Sequence, residues 1–82
     1  MPTSTTTPEA RARALVAEAL KIQGAVAAGD TMSTLAVWDS LGHMNIVLAL
    51  EGALGRAIRA EDIAMLTSVR AVADILAREE SA

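Results

Sequence analysis

The first third of the chain has apolar residues that recur at helical spacing. The residues on this face are Leu15, Ala19, Ile22 and Val26. This spacing predicts a helix with one face turned inward. Thr6 or Thr7 can cap its start, and Pro8 is tolerated in a first turn. Gly24 weakens the predicted helix, and Gly29-Asp30 marks its end at the latest.

A second helix is predicted to begin near the middle of the chain. The loop before it, residues 30–38, has apolar side chains that we expect to plug the bundle: Met32, Leu35, Val37 and Trp38. Asp39 or Ser40 is a strong helix cap. The broad apolar face that follows consists of Leu41, Met44, Val47, Leu48 and Leu54. Gly55 suits the left-handed residue that closes a helix.

The last third predicts a connection, a short helical turn and a final helix. Ile58 anchors the connection over residues 56–66, and the short turn lies around Glu61–Met65. Thr67 or Ser68 caps the final helix. Its inward residues are Val69, Val72, Ile75 and Leu76. No helix can bury its apolar face alone, so we predict an all-α fold, a small four-helix bundle of three main helices and a short third one.

The length and composition describe one small domain. The chain has 82 residues, of which 52% are hydrophobic, with one Trp and neither Phe nor Tyr. We expect residues 1–7 to be a disordered tail, residues 8–79 to form the domain, and residues 80–82 to be a short C-terminal tail. The absence of cysteine excludes a disulfide, a thiolate metal site and a cysteine nucleophile, and it suits the cytoplasm. The longest apolar run, residues 46–50, is too short for membrane insertion.

The negative charge is concentrated in one part of the chain. Residues 30–62 contain five acids against Arg56 and Arg59, which accounts for the whole net charge of −3. Nucleic acid is excluded as a partner, because it requires clustered Lys and Arg. A basic protein partner and a merely solvated acidic surface both remain open.

The stretch Asp39-Ser40-Leu41-Gly42-His43 contains the residue types of a hydrolase triad. A triad places the histidine between the serine and the acid, whereas here Asp39 and Ser40 are neighbours and His43 lies one turn further on. The stretch also lacks the G-x-S-x-G turn. A metal site is excluded as well, because one histidine and one nearby carboxylate cannot fill a coordination shell. We therefore predict no catalytic and no metal-binding residue, and a polar, exposed or half-buried His43.

Ser40 then has two interpretations that are compatible with each other. It can be a helix cap, because its hydroxyl lies beside the unpaired N–H groups of a helix start. It can also carry a phosphodiester, which the positive end of the helix dipole stabilises. Physical chemistry permits the second interpretation without requiring it.

Several segments together resemble the acyl carrier protein and peptidyl carrier protein superfamily. They are Asp39-Ser40-Leu41 at a helix start, an apolar helix that ends in "LEGALG", the acidic turn "AEDI", and "TSV" before the last helix. The resemblance extends from about Leu15 to Ala77. It implies a carrier without catalytic activity. It also implies that Ser40 carries 4′-phosphopantetheine, whose thiol holds acyl or aminoacyl groups as thioesters.

The resemblance also implies partners. They are a phosphopantetheinyl transferase that uses coenzyme A, an acyl- or aminoacyl-activating ligase, and a downstream synthase or transferase. Basic partners are expected on the second helix and its flanks, with recognition by Asp39, Leu41, Met44, Val47, Glu51, Glu61 and Asp62. For Met44 and Val47 the alternative is ordinary core packing. We expect the carrier to be a monomer.

Two features differ from the fatty-acid carriers that the chain resembles. Glu51 is the only acid between Leu41 and Leu54, and Trp38 stands where a small residue is usual before Asp-Ser. Both favour a specialised stand-alone carrier, and Trp38 itself is expected to be a buried plug. The alternative function is a helical interaction module in which Ser40 is only a cap. In that case Ser40→Ala would cost about 0.5–2 kcal/mol and nothing else.

Overall fold

The computed structural model describes residues 7–81, and the side chains of residues 7–79. Four helices follow one another: α1 (Pro8–Leu20), α2 (Ser40–Leu54), α3 (Ala60–Met65) and α4 (Val69–Ser81). Within this described part there is no strand, and one isolated bridge joins Thr31 to Ser68. The predicted all-α bundle with a short third helix is confirmed. Of the predicted N-terminal tail, residues 1–6 lie outside the described residues, as does residue 82.

Helix α1 begins as predicted and ends early. The Thr7 hydroxyl accepts a hydrogen bond from the Ala10 N–H at 3.1 Å, and Pro8 occupies the first helical position. The helix ends at Lys21, which is left-handed with φ of 59°. The Lys21 N–H then donates to Glu18 O, and the Ile22 N–H donates to Ala17 O at 2.8 Å, which is a Schellman motif. The prediction that the helix continues toward Gly24 or Gly29 is therefore wrong.

The buried face of α1 also differs from the predicted one. Ala12 and Val16 are fully buried, whereas Leu15 and Ala19 are half-buried at its edge. Ile22 and Val26 lie in the loop beyond the helix end. The cause is the position of α1 between two neighbours, since it packs against both α4 and α2. A face shared by two helices is centred between the two contacts, and a single apolar stripe does not reveal that centre.

The other boundaries follow the predicted chemistry. Gly55 closes α2 in the left-handed conformation, with φ of 74°. Ile58 is buried in the connection, and the Ser68 hydroxyl caps α4 by accepting from the Ala71 N–H at 3.0 Å. The four residues predicted to face inward from α4 are all buried. α4 runs to Ser81, two residues past the predicted domain end at residue 79.

The core is aliphatic except for one indole. Its members, contributed by all parts of the described chain, are Ala12, Val16, Val26, Trp38, Ile46, Val47, Leu50, Ile58, Leu66, Val69, Val72, Ile75 and Leu76. Of the four apolar side chains expected to plug the loop, Trp38 is buried and Met32 and Leu35 are half-buried. Val37 is exposed, so that part of the prediction is wrong. The chain alternates there, and Trp38 takes the inward position.

An ion pair connects the start of the α2–α3 connection to the end of α4. The Arg56 guanidinium donates a hydrogen bond to the Glu79 carboxylate, and this bond lowers the pKa of Glu79 below its ordinary value of 4.5. A lowered pKa in the folded state stabilises the fold above pH 4.5, and this contribution is lost as the pH falls through the lowered value.

We expect Glu79→Gln to flatten the acid limb of the stability curve. Near neutral pH the variant should differ little, because both side chains are solvent-exposed and exposed pairs contribute little. Urea denaturation of both proteins between about pH 7 and about pH 3.5 measures the difference. Parallel curves for the two proteins across the whole range would show that the pair does not contribute.

Candidate functional site

The start of α2 is held by Asp39. Its backbone is extended, and its carboxylate Oδ1 accepts a hydrogen bond from the Gly42 N–H at 2.9 Å. The Asp39 carbonyl accepts from the His43 N–H at 2.8 Å. Asp39 is therefore the cap, and Ser40 is the first helical residue. Of the two residues proposed as the cap, the prediction is correct for Asp39 and wrong for Ser40.

Ser40 is exposed at the edge of a cleft of about 400 Å³. The cleft is lined by residues of the loop before α2, of α2 itself, and of α3 with the residues after it: Met32, Ser40, His43, Met44, Ala64 and Thr67. None of these side chains is an acid, a lysine or an arginine. A hydroxyl at the first position of a helix faces the positive end of the helix dipole, which suits a phosphate ester.

His43 connects three parts of the structure. Its Nδ1 lies 3.4 Å from the Trp38 indole Nε1, and its Nε2 lies 3.0 Å from the Ile63 carbonyl oxygen. An indole N–H can only donate and a carbonyl can only accept. Both contacts are satisfied at once when Nδ1 accepts from Trp38 and Nε2 carries the proton toward Ile63. His43 therefore ties α3 to the start of α2, and its half-buried state is as predicted.

These contacts bear on the hydrolase alternative. Both ring nitrogens of His43 have partners other than Ser40, and the Asp39 carboxylate bonds the backbone of Gly42. A triad would need the same nitrogens to face the serine and the acid. Across residues 7–79, no group of three or more His, Cys, Asp or Glu side chains is placed to hold a metal ion.

Gly42 is a positioning residue that the sequence analysis did not identify. It is buried, and a Cβ added there would lie 2.7 Å from Leu20 Cδ2 and 2.7 Å from the Val37 carbonyl oxygen. The end of α1 and the loop thus approach the backbone of α2 closely. A glycine in the first turn of an apolar helix is the only sequence signal of this contact, and it does not reveal the neighbours.

We expect Gly42→Ala to destabilise the fold by about 1–3 kcal/mol, because the Leu20 side chain can move but the Val37 carbonyl is backbone. Gly52→Ala is the matched control in the same helix, because a Cβ at Gly52 meets nothing within 4 Å. That control should stabilise the protein by about 0.5–1 kcal/mol through helix propensity. Urea denaturation measures both variants, and equal effects of the two alanines would contradict the close approach.

The apolar residues of α2 separate into two faces. Ile46, Val47 and Leu50 are buried, whereas Leu41 and Leu48 are 71% and 60% exposed. The prediction that Leu41, Met44 and Leu48 face inward with Val47 is therefore wrong. Val47 is core, as its alternative interpretation held, and Met44 is 48% exposed, against that interpretation. Since α2 is apolar around most of its circumference, periodicity alone cannot select the inward face.

The acids predicted for partner recognition all have neighbours within the described part of the chain. The Glu51 carboxylate accepts from the Ile58 N–H at 2.9 Å. Asp62 lies 3.7 Å from Arg59 Nε and 3.5 Å from Arg78 Nη2. Glu61 lies 3.8 Å from Arg59 Nη1. The structure thus brings Asp39, Ser40, Leu41 and Met44 together at the start of α2, while Glu61 and Asp62 lie on α3.

Comparison with known proteins adds a family to this geometry. Residues 10–76 match the sequence model of the family described as "Phosphopantetheine attachment site". A search of curated proteins finds no match to the chain. In the part of the chain that the structure describes, none of the helices has the length and apolar character required to cross a membrane. The matched residues include the whole of α2 with its cap.

Proposed function

The chain belongs to the phosphopantetheine attachment family of acyl and peptidyl carrier domains, and we propose that Ser40 is its attachment residue. Domains of this family carry 4′-phosphopantetheine covalently and are carriers rather than enzymes. The single observation that carries the assignment to Ser40 is its exposed position as the first residue of α2, beside an uncharged cleft and inside the matched residues.

The residues around Ser40 fit the group. The helix dipole stabilises the phosphate at the first turn. Because Asp39 supplies the cap, the Ser40 hydroxyl is not required for it and is available to form the phosphodiester. The cleft between α2 and α3 offers neutral walls to the part of the arm nearest the serine, and His43 holds those walls together. When attached, the group supplies a terminal thiol that holds acyl or aminoacyl groups as thioesters.

The finer proposal is a specialised stand-alone carrier that acts as a monomer in the cytoplasm. Its partners are a phosphopantetheinyl transferase, an acyl- or aminoacyl-activating ligase and a downstream synthase or transferase. The absence of any ionised side chain from Ser40 to Leu50 supports a role outside housekeeping fatty-acid synthesis. The alternative interaction module required Ser40 to be the cap. It loses its support, because Asp39 has that role.

The test is incubation with coenzyme A, magnesium and a broad-specificity phosphopantetheinyl transferase. We expect the intact mass to increase by one phosphopantetheinyl group. The chain has no cysteine, so a thiol-specific reagent should label the treated protein and leave the untreated protein unlabelled. A folded chain that gains neither mass nor a thiol would contradict the proposal.

A further inference from the structure

Three exposed apolar side chains follow Ser40 along one side of α2. Leu41, Met44 and Leu48 are 71%, 48% and 60% exposed, and their spacing of three and four residues places them in one stripe. We call these three residues the α2 stripe. It begins at the residue next to Ser40, and Met44 also lines the cleft beside Ser40.

The surroundings of the α2 stripe offer few uncompensated charges to a partner. From Ser40 to Leu50 the helix has no Asp, Glu, Lys or Arg. At its two ends, Asp39 accepts from the Gly42 N–H and Glu51 accepts from the Ile58 N–H. Asp62 lies between Arg59 and Arg78. The excess acids of the middle of the chain therefore already have partners within the chain.

The position of Ser40 determines what must cover the α2 stripe. From Leu41 to Leu48 the helix rises about 10 Å. A standard interface covers about 800 Å² on each partner, which corresponds to a patch about 30 Å across. An enzyme that places its reacting groups over the Ser40 hydroxyl therefore also covers Leu41, Met44 and Leu48.

We propose that the phosphopantetheinyl transferase that modifies Ser40 binds the α2 stripe through an uncharged apolar surface, so that apolar burial rather than ion pairing drives recognition. This inference rests on the proposed function and specifies the chemistry of its partner. It replaces the expectation of a basic partner at this site. Apolar contacts depend little on ionic strength, whereas recognition by exposed charges weakens as salt screens them.

The test is steady-state kinetics of a broad-specificity transferase with coenzyme A and the wild-type chain, Leu48→Ser, Met65→Ser and Glu61→Gln. Leu48 lies two turns from Ser40 and has no part in the attachment chemistry. Met65 is the matched control, because it is 71% exposed on α3 in a groove with Asp62 and Arg78. Glu61→Gln tests the charge. Circular dichroism melting confirms that each variant is folded.

We expect Leu48→Ser to lower kcat/KM by about tenfold, mainly through KM, while Met65→Ser and Glu61→Gln change it by less than about twofold. The ratio of Leu48→Ser to wild type should be the same at about 20 mM and about 300 mM salt, which removes any salt effect on the enzyme itself. Wild-type kinetics for Leu48→Ser, or a large loss in Glu61→Gln, would overturn the inference alone. A wild-type chain that gains no mass would overturn the proposed function, and the inference with it.

Discussion

Replacing Ser40 with alanine should abolish acceptance of phosphopantetheine and leave the fold nearly unchanged. The hydroxyl oxygen is the atom that forms the phosphodiester, so its removal leaves no residual activity to measure. Stability should change by less than about 0.5 kcal/mol, because Ser40 is exposed, alanine is a good helix former and the cap belongs to Asp39. Intact mass after transferase treatment and urea denaturation measure the two effects separately.

Asp39 provides the matched controls for this experiment. Asp39→Ala removes the carboxylate that accepts from the Gly42 N–H, and it should cost about 0.5–2 kcal/mol. Asp39→Asn keeps a capping oxygen without the charge, so it should be nearly as stable as the wild type. Comparing transferase rates for the two variants then isolates any recognition of the Asp39 charge. A Ser40→Ala protein that still gains the full mass would place the attachment at another residue.

Replacing Trp38 with alanine should remove a large part of the total stability. Trp38 is 2% exposed, the one aromatic ring in an otherwise aliphatic core. Substitutions of this kind cost about 3–5 kcal/mol, because transfer energy is lost and a cavity is left. A domain of this size has a total stability of about 4–12 kcal/mol. The variant should therefore unfold at a much lower urea concentration and a much lower temperature.

Trp38→Phe separates packing from hydrogen bonding at the same position. It keeps an aromatic ring in the core and removes the N–H that lies 3.4 Å from His43 Nδ1. The loss should be smaller than in Trp38→Ala, because Phe keeps most of the buried apolar surface. Helical circular dichroism must follow the unfolding, because Trp38 is the only tryptophan. An alanine variant within about 1 kcal/mol of the wild type would show that the indole is not a core plug.

Much of the fold was predictable because its signals are local. A capping hydroxyl at Thr7 or Ser68 acts on N–H groups two or three residues away. Gly55 closes α2 by its own backbone freedom, and that too is a property of one position. The inward face of α4 was predicted because that helix alternates cleanly between apolar and charged residues, so only one face can be buried.

The attachment site was also largely predictable, for a different reason. The order Asp39-Ser40-Leu41 before an apolar helix resembles the carrier superfamily, and the family match over residues 10–76 agrees with that resemblance. The sequence did not reveal which of Asp39 and Ser40 is the cap, since both side chains can accept the same bond. That choice depends on where the helix starts, and the backbone of Asp39 is extended.

By itself, then, the sequence determined the helix count, most helix ends, the inward face of α4 and the family of carriers. Only the tertiary structure decided which face of α2 is buried, because that helix is apolar around most of its circumference and α1 contacts one side of it. The same contact explains the need for Gly42, where Leu20 and Val37 approach the backbone. Burial is a property of neighbours brought together by folding, and no spacing along one helix specifies them.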